Sequence, residues 1–171
     1  LLVELALDGA LGCSECYAVT GSGRAYRVAA SDALGAQYAV NAILEAHGAR
    51  FFHPDRPIVP ATLPELDVAQ AAAAGFDGQR VAPAVRDRIL HLHTLHPIEG
   101  FFALWDGAGA DLPAAKRIID WIVRQRGDGL QYPGLSDVLG GGSAGLLWRA
   151  HTAQILDYAH SRGLTVGLGV Q

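Results

Sequence analysis

From residue 88 onward the hydrophobic pattern alternates between two periods, and this alternation restricts the fold more than any other feature of the chain. "RILHLHTL" has the character of a strand, and "LPAAKRIIDWIVRQR" has helical spacing. In the helix Leu112, Ala115, Ile118, Ile119, Ile122 and Val123 share one face, and Asp111 is placed to cap it. "GLQYPGL" is a short strand. "GLLWRAHTAQILDYAHSRG" is a second helix with Trp148, His151, Ile155, Tyr158 and Ala159 aligned, closed by Gly163; "LTVGLGV" is a third strand. Strand, helix, strand, helix, strand is the order of a parallel α/β sheet, either doubly wound or part of a barrel.

The first third reads differently. "LLVELAL" is a strand, and "CYAVTG" and "AYRVAAS" are two more joined through "GSGR", which supplies hairpin glycines. Ser31 or Asp32 caps a helix over "ALGAQYAVNAILEAH", with Leu34, Tyr38, Val40, Ile43 and Leu44 as its apolar stripe and Gly48 as its terminator. "ARFFHP" resumes as a strand, and Pro57, Pro60 and Pro64 keep "IVPATLPELDV" extended. "AQAAAAGFDGQRVAPAV" is poor in large side chains and marks a boundary. The expected organisation is a small α/β domain over 1–75, a linker over 76–84 and a second domain over 85–171.

Composition removes several functions. Thirteen basic against seventeen acidic residues, a net charge of −4, argue against a nucleic-acid surface, which needs excess positive charge to neutralise phosphates. No apolar run approaches the roughly twenty residues of a membrane span. Cys13 and Cys16 form one Cys-x-x-Cys with neither a second ligand pair for zinc nor a helix starting at the first sulfur, so a structural role is expected. Both termini read as strands, and the expectation is a fragment of a longer protein.

"YRVAASDALGAQYAVNAILEAHGARFFHPDRPIVP" resembles the small α+β domain, zincin-like in fold, that precedes the barrel in family 20 β-hexosaminidases and has a counterpart in α-glucuronidases. "AAKRIIDWIVRQRGDGLQY" and "HTAQILDYAHSRGLTVGLGVQ" are similar to the opening helices and strands of their catalytic barrels. The resemblance implies the first three strands of an incomplete (β/α)8 barrel, a carbohydrate substrate, glycosidic-bond hydrolysis and no cofactor. It places the catalytic carboxylates beyond Gln171, and export of such enzymes favours an extracellular or periplasmic location. The family's sugar-binding arginine at the first strand is matched best by Arg88, with Arg86 as the alternative. Its histidine motif at the second strand is replaced by "DGLQYPG".

"HLHTLHPIEG" concentrates the polar chemistry. Alternate strand residues share a face, so His91 and His93 point the same way. On a first barrel strand, His93, His96 and Glu99 would line the mouth, imidazoles donating to sugar hydroxyls and the carboxylate accepting from them. Gln131 and Tyr132 would stand on the same rim. A second reading gives His91 and His93 to a metal ion that activates water, as in amidohydrolase-like and PHP-type enzymes. A third has the histidines packing against neighbouring structure, and a non-catalytic carbohydrate-binding module also fits the pattern.

Overall fold

The computed structural model describes residues 1–92, 103–104 and 111–169. Contacts divide the chain into two units, Leu1–Arg86 and Asp87–Gln171.

The first unit is a four-stranded mixed sheet with a helix on one face. Strands β1 (Leu2–Leu7), β2 (Tyr17–Ser22), β3 (Ala25–Ala30) and β4 (Asp77–Val81) are ordered β1-β3-β2-β4. β1 runs parallel to β3, whereas β2 is antiparallel to both β3 and β4. The hairpin reading of β2 and β3 holds: Ser22 pairs with Ala25, and Gly23 takes a φ of 63° in the turn. Helix α1 (Ala33–Ala46) buries Leu34, Tyr38, Ala39 and Ile43 against Tyr17, Val19, Tyr26 and Val28. Of the two cap candidates it is Asp32 that accepts from the Gly35 N–H, at 2.8 Å.

Beyond Gly48, "ARFFHP" contributes only a single bridge, Arg50 to Ile58, because the prolines that follow cannot continue a ladder. A polar core contact fastens the extended segment instead. His47, fully buried, donates from Nδ1 to the Pro64 carbonyl at 2.6 Å, and its Nε2 accepts from the Tyr26 hydroxyl at 3.0 Å. Helix α2 (Val68–Ala73) follows, with a capping box between Asp67 and Gln70. The stretch expected to be a linker, 76–84, contains β4. All five residues of β4 are exposed, so the strand carries no hydrophobic alternation to reveal it.

The second unit is a three-stranded parallel sheet, β5 (Ile89–His91), β6 (Gly129–Pro133) and β7 (Thr165–Gly169), in sequential order. Among the described residues, helices α3 (Leu112–Arg124), α4 (Leu135–Leu139) and α5 (Gly142–Ser161) accompany it. Asp111 caps α3 by accepting from the Ala114 N–H at 2.9 Å, and Ile118, Ile119, Ile122 and Val123 are buried as the stripe requires. α3 packs on β6, α5 on β7, and the two helices on each other, which puts both on one face of the sheet. Their contact has a polar clasp: the Tyr158 hydroxyl donates to Asp120 at 3.0 Å and accepts from Arg162 at 2.7 Å. Trp148, expected in the core, is half-exposed; the buried positions of α5 are Gly145, His151, Thr152, Ile155 and Ala159.

α1 meets the β1–β2 loop without space to spare: a Cβ on Gly35 would lie 2.5 Å from the Cys16 carbonyl oxygen. Gly35→Ala is expected to destabilise the protein by about 1–3 kcal/mol through overpacking. The check is the urea midpoint at unchanged slope.

Candidate functional site

Among the described residues, helices cover one face of the second sheet and leave the other uncovered. Leu130 and Tyr132 alternate with Gln131, and only Gln131 is exposed. In a parallel ladder, paired residues project to the same side. His91, Gln131 and Gly167 form one such row, and Ile89, Gly129 and Thr165 the row before it. Outside the glycine Gly129, every residue of these two rows is exposed, while Pro133, one row further on, is buried. Glycines let the neighbours close over them. A Cβ on Gly167 would stand 3.4 Å from the Gln131 Cγ, and one on Gly129 would fall 2.7 Å from the Thr165 hydroxyl. The result is a shallow polar strip carrying an imidazole, a carboxamide and a hydroxyl. Together they can donate to and accept from a polyhydroxylated ligand.

The sequence-derived residues do not all meet there. Gln131 lies on the strip beside His91, the first histidine of the motif. Tyr132 lies beneath the helices on the opposite face, 1% exposed, with Thr152 of α5 as its neighbour. Arg88 precedes β5 at the N-terminal edge of the sheet, the end away from the strand C-termini. Its backbone N–H donates to Asp128 Oδ1 at 2.7 Å, and its guanidinium lies 3.6 Å from Asp128 Oδ2. Their side chains are only 19% and 13% exposed. His93, His96 and Glu99 lie outside the described residues. The two-histidine metal reading shares that position, since it needs His93 beside His91. Among the described residues, no group of three or more His, Cys, Asp or Glu side chains is gathered to hold a metal ion. Cys13 and Cys16 are bonded to each other.

Two residues that matter here, Asp128 and Thr152, carried no signal in the sequence, whereas His151 already stood in the aligned stripe of its helix. Asp128 binds the start of β5 through its carboxylate, and its carbonyl accepts from the Thr165 N–H of β7 at 2.9 Å. It thereby ties the N-terminal ends of all three strands. His151 is buried on α5 and donates from Nε2 to the Ala103 carbonyl at 2.8 Å, a packing role. Thr152 and Tyr132 bury their hydroxyls without a well-formed hydrogen bond. Burial pushes the Tyr132 phenol up from its ordinary value, and the nearby Thr152 hydroxyl offsets part of that rise.

No family model matches the chain, and no curated protein matches it significantly. No helix among the described residues is long and apolar enough to cross a membrane.

Removing the strand tie should be costly. Asp128→Ala removes the acceptor of the Arg88 N–H and the carboxylate beside its guanidinium, which keeps its bond to the Arg126 carbonyl, at an expected loss of about 1–3 kcal/mol in denaturant unfolding. Alkali should weaken the unit by a separate route. Near pH 10 an unfolded tyrosine releases its proton while Tyr132, raised by burial, keeps it. The unfolded state then binds fewer protons, so stability present below about pH 10 falls as pH rises further. Tyr132→Phe should flatten this part of the stability curve, measured by unfolding between about pH 9 and 11.

Proposed function

We propose that the chain belongs to a carbohydrate-active enzyme, a glycoside hydrolase, whose second unit supplies the opening strands of a (β/α)8 barrel and whose first unit is an accessory domain. The observation that carries the reading is the face of the parallel sheet that no helix among the described residues covers. Sequential parallel strands with both crossover helices on one side are what barrel closure requires, because the uncovered face becomes the interior. One βαβαβ half of a doubly wound sheet has the same local arrangement, so the choice of a barrel leans on the order of the parts. The order of the parts, a small mixed-sheet unit followed by this one, supports the same assignment.

In this reading His91 and Gln131 hold sugar hydroxyls. The carboxamide gives one donor and one acceptor group, a match for vicinal hydroxyls, and the imidazole adds a donor or acceptor according to its tautomer. Hydrolysis of a glycosidic bond needs a pair of carboxylates, one donating a proton to the leaving oxygen. That pair is not assigned to residues of the described segments. Glu99 is the one carboxylate among the sequence candidates, and it lies outside the described residues.

The test is titration of the 171-residue chain with methyl glycosides of N-acetylglucosamine and of glucuronic acid, followed by amide and imidazole NMR shifts. Saturable shifts centred on His91, Gln131 and Gly167 are expected. Gln131→Ala should weaken the interaction about five- to tenfold, the value of one good hydrogen bond. Shifts confined to the helix-covered face, or none with either sugar, would sink the assignment.

A further inference from the structure

We propose that Cys13 and Cys16 form a thiol–disulfide exchange site whose state sets the order of the α1 N-terminus. The bonded pair lies in the loop between β1 and β2. Its two sulfurs differ in access, because Cys16 is fully buried and Cys13 is half-buried. An incoming thiolate therefore has its approach at Cys13.

The loop closed by this bond is also the loop that holds the helix start. Between the cysteines, Glu15 adopts a φ of 58°, a left-handed conformation that L side chains seldom take. In that conformation its N–H donates to Asp32 Oδ2 at 2.6 Å, and its carboxylate accepts from the Tyr38 hydroxyl at 3.2 Å. Asp32 uses its other oxygen to cap α1 through the Gly35 N–H. Cys16 adds a reciprocal pair with Ser31: its N–H donates to the Ser31 hydroxyl at 3.0 Å, and its carbonyl accepts from the Ser31 N–H at 2.9 Å. With only two residues between the sulfurs, the cross-link removes little long-range chain entropy. Its effect falls instead on the local conformation that presents Glu15 to Asp32.

The exchange balances with a dithiol as reductant. One thiolate of the dithiol attacks Cys13 Sγ; the new S–S bond forms as the Cys13–Cys16 bond breaks, and Cys16 Sγ leaves as a thiolate that takes up a proton. The second thiolate of the reductant then attacks its own sulfur in the mixed disulfide. Cys13 leaves and is protonated, and the reductant departs as a cyclic disulfide. Two electrons have passed to the protein. Glu15 then relaxes to negative φ, its N–H leaves Asp32, and the first turn of α1 loses its outer support.

The experiment treats the 171-residue chain with dithiothreitol, counts thiols by maleimide mass shift and follows amide exchange by NMR, with far-ultraviolet circular dichroism for the global fold. Reduction should yield both thiols and speed exchange at Glu15, Cys16 and Gly35 about tenfold, while α3 and β3 keep their protection. The double variant Cys13→Ser/Cys16→Ser should show the fast exchange without reductant and ignore its addition. Glu15→Asn, which tolerates a left-handed backbone, should narrow the difference between oxidised and reduced protein. Resistance to reduction, unchanged exchange after it, or collapse of the whole first unit each overturn the proposal, the last because the bond would then be a general staple. An undiminished difference in Glu15→Asn overturns the role given to that residue.

Discussion

Asp128 is the contact on which the geometry of the second unit depends. From the residue before β6 it accepts the Arg88 N–H at the head of β5, and its carbonyl receives the Thr165 N–H at the head of β7. Three parallel strands can slide relative to one another, and a slip of one residue exchanges the two faces of a strand. Anchoring all three heads on one residue fixes the register. That register sends Leu130 and Tyr132 under the helices and leaves His91 and Gln131 together on the open side. The polar strip is thus a consequence of a contact at the far edge of the sheet.

The first unit uses buried polar groups in a comparable way. The irregular stretch between α1 and α2 buries Phe51 and Leu66 but leaves Phe52, Ile58 and Val59 exposed, so burial alone gives it little reason to hold one path. His47 joins the end of α1, strand β3 and the proline-rich stretch through two hydrogen bonds, and Asp32 joins the β1–β2 loop to the start of α1. Each residue satisfies groups from two segments that are distant in sequence. Losing one partner strands the other in a dry environment, so such contacts specify a path beyond their net stabilisation.

Much of the local structure was legible. The stripe of α3, the caps at Asp32 and Asp111, and the β2–β3 hairpin turn follow from short-range rules of spacing and capping, and the structure bears them out; in α1 Leu34, Tyr38 and Ile43 are buried as expected, while Val40 and Leu44 are only half-buried. Strand β4 was not legible, because an edge strand exposed at every position has no alternation to read. Trp148 was misplaced because α5 turns a narrower stripe inward than its apolar residues suggest. In the candidate site, Gln131 and Tyr132 looked like neighbours on one rim, yet adjacent strand residues project to opposite faces. Arg88 looked like a ligand of the same rim and lies at the other edge, engaged by Asp128.

The sequence by itself determined the three long helices, α1, α3 and α5, most of the strands and the alternation of the second half, because periodicity and capping act over a few residues; the short α2 and α4 and the exposed β4 carry too little pattern to be read. Only the tertiary structure decided which face of the parallel sheet its helices cover, which histidines are packed and which residue binds the strand heads together. Those outcomes depend on register and on partners some forty residues away, such as Arg88 with Asp128 and Asp128 with Thr165, which no local pattern encodes.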